Sequence, residues 1–356
     1  MTSPATLSAL LRHRLVWPVG VLVLLIVGNL VFTPSFLSIE VREGHLYGSL
    51  IDILRSAAPL ALVALGMTLV IATGGIDLSV GSVVAISGAV ACWWIVGLGD
   101  QNSLGGVLGA VALALGLSLL LGAGNGLLVA AVGIQPIIAT LILMVAGRGV
   151  AQLVTDGQII TVNSGPYEVI GKDYWLTFPV SVLIVAVMVA GTLVLTRRTA
   201  LGLLIESVGG NPTASRLAGV NARRLTVLVY VFAGFCAGLA GLIVSSNVSS
   251  ADGNNAGNLI ELDAILAVVI GGTALAGGRF SVLGSVIGAL VIKTLDITIY
   301  TIGVPTNTTL LFKAIVVVVL CLAQSPAFRA RVLGRRRRGP DVPDPAPPTA
   351  RTEVPV

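Results

Sequence analysis

RRTALGLLIESVGGNPTASRLAGVNARR, residues 197–224, is the one long polar interval set between two strongly apolar regions. It carries Arg197, Arg198, Arg216, Arg223 and Arg224 against a single acid, Glu206. The apolar runs on either side, 176–196 and 225–244, are each close to the roughly 20 residues that a helix needs to cross a bilayer. Short connections rich in Lys and Arg stay on the cytoplasmic side of a membrane protein, so this interval orients the chain. It also has helix punctuation of its own. Pro212, following Asn211, suits the first position of a short helix, and Gly219 stands where a C-terminal cap belongs. Such a helix at the membrane surface is a place where a soluble partner could push. An ordinary solvated loop is the competing reading.

The rest of the composition agrees with a membrane location. Of 356 residues, 55% are hydrophobic and only 10% charged, and the mean hydropathy is +0.99, whereas a soluble domain carries about a quarter charged residues. The apolar runs have helical length and no ten-residue alternation, so the class is all-α, a polytopic helical bundle, and a β-barrel is excluded. The 43 glycines suit close helix packing. Cys92, Cys236 and Cys321 fall inside apolar runs and read as small packing residues. The net charge of +5 reflects basic residues gathered at one membrane face and in Arg335–Arg338, a topology signal with an anionic-lipid contact rather than a nucleic-acid surface.

Ten runs are long enough to count as spans: 15–32, 53–73, 78–98, 104–132, 134–154, 176–196, 225–244, 259–276, 281–302 and 308–323. The first resembles a signal peptide, but Thr33-Pro34-Ser35-Phe36 offers no small-residue cleavage site, so it reads as an uncleaved anchor. With the N-terminus inside, fifteen basic residues fall on inner segments and three (Arg42, Arg55, Lys172) on outer ones. That asymmetry predicts an even number of spans with both termini cytoplasmic. The expected organisation is a cytoplasmic tail over 1–14, a transmembrane domain over 15–325, and a basic, then Pro-rich, disordered cytoplasmic tail over 326–356.

Two glycine-rich breaks interrupt the spans: Ala72-Thr73-Gly74-Gly75-Ile76-Asp77-Leu78-Ser79-Val80-Gly81, and Gly271-Gly272-Thr273 followed by Gly277-Gly278-Arg279-Phe280-Ser281. Broken helices in corresponding parts of a bundle point to a transport pathway. The plainer expectation, favoured on sequence alone, is a tight turn with Asp77 or Ser79 capping the next helix. Arg148, Lys293, Asp296 and Lys313 are charges inside spans, costly in hydrocarbon and hence functional candidates. Lys293 and Asp296, three apart, can neutralise each other, and Lys313 near a span end can snorkel to the interface. The outer segment 245–263, with Asn254, Asn255 and Glu261, is dense in amide, hydroxyl and acid groups that suit a polyhydroxyl ligand or a docking protein. Asp77, Ser79, Arg148, Asn254, Asn255 and Glu261 are therefore the substrate-pathway candidates.

Hydrolase and nucleotide motifs are missing. Histidines occur only at 13 and 45, the one Gly-Lys pair (Gly171-Lys172) is followed by Asp173, and neither G-x-S-x-G nor H-E-x-x-H occurs. No catalytic residue, cofactor or metal is expected. Energy from ATP would have to come from another chain.

These residues resemble the permease subunits of bacterial ABC importers for simple sugars, the ribose, xylose and galactofuranose group. The likeness is carried by residues 66–81, by Gly271-Gly272-Thr273 with Gly277-Gly278-Arg279-Phe280, and by Glu206, Gly209, Asn211 and Ala218-Gly219. Residues 51–54, 139–153 and 251–257 look most like the galactofuranose branch, whereas the Arg-rich tail and the Lys293/Asp296 pair depart from it. The resemblance implies a type II ABC importer-like bundle in the bacterial inner membrane. It also implies a second permease chain, identical or paralogous, cytoplasmic ATP-binding cassette ATPase subunits and an extracytoplasmic sugar-binding protein. The segment after Ser207 would then be the coupling helix, with Glu206, Gly209, Asn211, Ala214, Ala218 and Gly219 at the ATPase contact. The function expected is ATP-driven uptake of a monosaccharide such as galactofuranose or ribose. The alternatives are an ion-coupled secondary transporter and a membrane enzyme acting on lipid-linked sugars.

Overall fold

The computed structural model describes residues 15–42, 44–303 and 305–324, so both terminal tails of the sequence reading lie outside the described residues. Each of the ten apolar runs contains a helix. In chain order these are α1 (Val16–Phe32), α2 (Ser49–Ala72), α3 (Val80–Val96), α4 (Leu104–Leu127, continued by a π turn over Leu128–Val132) and α5 (Pro136–Val154). After a short helix α6 (Gly165–Glu168) come α7 (Val180–Arg198) and two helices in the basic interval, α8 (Leu201–Gly210) and α9 (Pro212–Leu217). The last four are α10 (Ala222–Val248), α11 (Ile260–Ile270), α12 (Val282–Thr301) and α13 (Thr306–Gln324). By contacts the described chain falls into two units, divided after Lys313.

Six of these helices are long and apolar enough to cross a membrane: α2, α4 with its π turn, α5, α7, α10 and α12. The 11-residue α11 is not. At about 1.5 Å per residue it is roughly 16 Å long, about half the hydrocarbon thickness. Hydropathy carries the run on to residue 276, but the backbone stops at Gly271.

Helices α2 and α10 form the interior. Almost all of α2 from Ala57 to Ala72 is buried. Glycines set the spacing of α10 against α4. A Cβ on Gly122 would lie 2.5 Å from the Tyr230 carbonyl, and one on Gly234 the same distance from that of Ser118. Gly122/Gly126 and Gly234/Gly238 thus form facing small-residue pairs four apart, which let the two backbones touch. In contrast few residues of α5 and α7 are buried, and side chains such as Val145 at 67% and Val187 at 70% are exposed, as on lipid-facing helices.

Short strands tie the connections together. β1 (Glu40–Arg42) and β2 (His45–Tyr47) form one hairpin. β4 (Tyr174–Trp175) and β5 (Phe178–Pro179) form another. β3 (Ile159–Thr161) pairs antiparallel with β6 (Ser250–Asp252), which joins the connection after α5 to the one after α10.

Candidate functional site

The basic interval folds as its punctuation suggests. Asn211 Oδ1 accepts the Ala214 N–H at 3.0 Å and Pro212 takes the first helical position of α9. Gly219, at φ 86°, ends it; its N–H donates to Arg216 and that of Val220 to Ser215, each at 3.0 Å, the paired bonds of a Schellman ending. Ala214, Ala218 and Leu217 are exposed on α9, Leu217 at 86%. Next to it Arg216, Gly219, Val220, Asn221, Ala222 and Arg223 line an open cleft of about 360 Å³.

The same ending occurs at both glycine-rich breaks. After α2, Gly74 (φ 83°) donates to Ile71 at 2.9 Å and Gly75 to Val70 at 3.0 Å. After α11, Gly272 (φ 87°) donates to Val269 at 2.9 Å and Thr273 to Val268 at 3.2 Å. The two breaks meet backbone to backbone. Gly278 N–H donates to the Ala72 carbonyl at 2.9 Å. Gly209, near the end of α8, closes the junction: a Cβ there would run into the Ala72 carbonyl oxygen and lie 2.6 Å from the Gly278 nitrogen. The segment beside α9 is therefore packed directly on both breaks.

Beyond the junction the first break differs from the tight turn expected of it. Residues 75–79 run without regular structure, and Gly75, Asp77 and Ser79 are buried. Neither Asp77 nor Ser79 caps α3 through its side chain. Instead Asp77 Oδ1 accepts the Ser79 N–H at 2.9 Å and the Ser79 hydroxyl at 2.6 Å, and Asn125 Nδ2 donates to Ser79 Oγ at 2.8 Å. Thr140 on α5 accepts the Leu78 N–H at 3.1 Å. Irregular backbone at membrane depth has to be satisfied by protein, and α4 and α5 supply the partners. Asn125, Thr140 and Tyr230, whose buried hydroxyl has no partner among the described residues, are uncharged and do not stand out from the apolar runs that hold them. A lone amide between glycines, Gly124-Asn125-Gly126, was the available signal.

At its other end the break reaches the polar segment after β6. Gly81, in the first turn of α3, faces Glu261 Oε2 and the Gly257 carbonyl so closely that a Cβ would collide with both. Glu261 is 4% exposed and Oε2 has no hydrogen-bond partner among the described residues. Arg148 Nη1 donates to the Ala256 carbonyl at 2.6 Å, and Gln152 Nε2 to Asn254 Oδ1 at 2.7 Å. Asp252, an acceptor for Asn255 Nδ2 (2.8 Å) and the N–H of Asn254 (2.8 Å), is held below the usual carboxylate range, mainly by the Asn255 bond. Thus Gly81 meets Glu261, Arg148 binds the turn at 253–256 that carries the exposed Asn254 and Asn255, and Asp77 and Ser79 sit two to four residues before Gly81 on the same strand of chain.

Lys293 and Asp296 pair at 3.1 Å as expected, but Lys313 does not snorkel. It binds Asp263 at 2.8 Å and Asp296 at 3.0 Å, so four charges on α11, α12 and the start of α13 neutralise one another. At the far end of α10, Glu168 accepts from Lys172 at 2.8 Å and from the Ser249 hydroxyl. The Lys172 bond first, and Ser249 second, hold the Glu168 carboxyl below its ordinary value.

Residues 49–321 match the family described as branched-chain amino acid transport system / permease component. The chain is 48% identical over 334 residues to the galactofuranose transporter permease protein YtfT of Escherichia coli K12, covering 92% of this chain and 96% of that one. It is 40% identical to the fructose import permease protein FruF of Bifidobacterium longum, over 92% of each chain. It is 38% identical to the ribose import permease protein RbsC of Escherichia coli K12, over 82% of this chain and 88% of that protein. No solved structure matches.

Proposed function

Since this chain belongs to the branched-chain amino acid transport system / permease component family, we propose that it is the membrane-spanning subunit of an ATP-driven importer for a monosaccharide. It is a multi-pass inner-membrane permease and not an enzyme; ATP hydrolysis belongs to a separate subunit. The family description names an amino-acid system, but the relatives named above carry galactofuranose, fructose and ribose in their names. Galactofuranose, ribose or a related simple sugar is the substrate class we assign. Its partners are an ABC ATPase, an extracytoplasmic sugar-binding protein and a second permease chain.

One observation carries the mechanism. Residues 72–81 touch Gly209 and Gly278 beside α9 through Ala72 at one end, and Gly257 and Glu261 through Gly81 at the other. We assign α8 and α9, with Glu206, Gly209, Asn211, Ala214, Ala218 and Gly219, to the ATPase contact. We assign Asp77, Ser79, Arg148, Asn254, Asn255 and Glu261 to the sugar pathway. A push on α9 then reaches the pathway through one short length of chain, and nucleotide biases an equilibrium between inward- and outward-open states.

Ten crossings with both termini cytoplasmic fit the contacts between connections, with α11 completing its crossing through the non-helical segment before it. The connections assigned to the outer face touch one another: β3 with β6, Leu46 with Thr177, Arg55 with Asn247. Those assigned to the inner face do likewise at Ala72, Gly209 and Gly278. Single cysteines at Ser207 and Ser250 should react with an impermeant reagent from opposite sides. Same-side labelling removes the topology.

The function is tested in proteoliposomes that contain the complex, its binding protein and labelled galactofuranose, ribose or fructose. Accumulation should require ATP on the ATPase side. Uptake that persists without the ATPase and collapses with a protonophore would make the chain an ion-coupled carrier instead.

A further inference from the structure

The β4–β5 hairpin joins Trp175 to Phe178 through a two-residue turn, Leu176-Thr177. Turns of this length favour Gly, Asn or Asp where φ is positive. Here Leu176 takes φ 57°, a conformation that bulky residues rarely adopt, and its side chain is 78% exposed. Trp175 is 67% exposed and Phe178, opposite it on the same face of the hairpin, 45%. In water this arrangement would be doubly unfavourable: a strained backbone presenting three large apolar side chains to solvent.

Chain connectivity says what covers them. Pro179 is followed at once by α7, whose other end carries Arg197 and Arg198. The hairpin therefore stands at the end of a membrane span, at the level where the hydrocarbon gives way to headgroups. Of α7 only Ser181 and Thr192 are buried. Tyr174, Trp175, Val180, Leu183, Val187 and Met188 line a continuous, mainly apolar groove of about 450 Å³ from the hairpin down that lipid-facing side. The hairpin is also braced rather than loose. Leu46 N–H donates to the Thr177 carbonyl at 3.3 Å and the His45 ring nitrogen bonds the Leu176 carbonyl at 3.2 Å. The Tyr174 ring lies 4.8 Å from that of His45 and 5.4 Å from that of Tyr47.

We propose that the Tyr174–Pro179 hairpin is an interfacial anchor, with Trp175, Leu176 and Phe178 seated among the glycerol and upper acyl groups of phospholipids and the groove on α7 occupied by an acyl chain. Tryptophan at this depth keeps its indole N–H in the polar layer and its ring in the apolar one. Leu176 then leaves water, which offsets its unfavourable φ. The inference is independent of which leaflet is involved and of the transported substrate.

The test uses the full chain, with Trp17→Phe, Trp93→Phe and Trp94→Phe, reconstituted in phosphatidylcholine. Replacing the lipid by phosphatidylcholine brominated near the carbonyl end of its acyl chains should extinguish Trp175 emission, and aqueous iodide should leave it unchanged. Quenching by iodide without quenching by brominated lipid would put the hairpin in water, as a protein-docking loop would be, and overturn the proposal. Should the triple variant not fold, a spin label on Leu176→Cys in a Cys321→Ala background gives the same decision. Relaxation by oxygen exceeding that by a water-soluble nickel chelate is expected, and the reverse order refutes the anchor.

Discussion

Gly209 and Gly210 are adjacent in sequence and opposite in surroundings, which makes them a matched pair for testing the junction of the two breaks. A Cβ on Gly209 would overlap the Ala72 carbonyl oxygen, stand 2.6 Å from the Gly278 nitrogen and 2.9 Å from the Ala72 carbonyl carbon. All three are backbone atoms and none can rotate away. The same addition at Gly210 meets nothing within 4 Å. Overpacking costs about 1–3 kcal/mol, and prising apart the Gly278–Ala72 hydrogen bond a further 0.5–1.5, roughly. For Gly209→Ala the sum is about 1.5–4.5 kcal/mol, against approximately zero for Gly210→Ala. At about 1.4 kcal/mol per decade, that shifts the population of the closed junction by a factor of about ten to two thousand. Sugar-stimulated ATP hydrolysis and uptake by the reconstituted complex should therefore fall steeply in Gly209→Ala and stay at the wild-type level in Gly210→Ala. Capture of sugar by the binding protein should be unaffected in both. Equal, near-normal uptake by the two variants would refute the junction as a mechanical element.

Asp77→Asn keeps an acceptor for Ser79, whereas Asp77→Ala strands its buried N–H and hydroxyl at about 1–3 kcal/mol. Both should accumulate in the membrane and both should transport poorly, as read by membrane yield and uptake; if the alanine variant alone is defective and fails to accumulate, Asp77 is purely structural. Glu168, whose carboxyl is held low by Lys172 and Ser249, contributes stability above the ordinary carboxylate range near 4.3 and loses it as pH falls through its depressed folded value. The difference in thermal stability between wild type and Glu168→Gln should therefore be constant near neutrality and shrink only in acid; a difference that grows in acid would reverse the sign of the interaction.

Much of this was legible in the sequence because it is local. Each apolar run holds a helix, and α9 lies between the Pro and Gly that punctuate it, since capping depends on residues a few positions apart. Lys293 and Asp296 pair because one helical turn brings them together. What escaped is held from a distance. Residues 75–79 read as a tight turn because Asp77 and Ser79 are cap formers, yet their fate is decided by Asn125 and Thr140, 46 and 62 positions from their partners. Hydropathy made residues 259–276 a full span, blind to the Gly271-Gly272 ending that halves it. Lys313 seemed free to snorkel because Asp263, fifty residues earlier, could not be seen to face it.

The most direct test of coupling through residues 72–81 is made at the end of that run farthest from α9. Gly81 touches Glu261 and Gly257, and a Cβ there would collide with Glu261. The measurement is ATP hydrolysis by the assembled complex carrying Gly81→Ala, with and without sugar-loaded binding protein. Transmission through this length of chain predicts a normal basal rate that sugar no longer stimulates; full stimulation in that variant, with uptake intact, would contradict it.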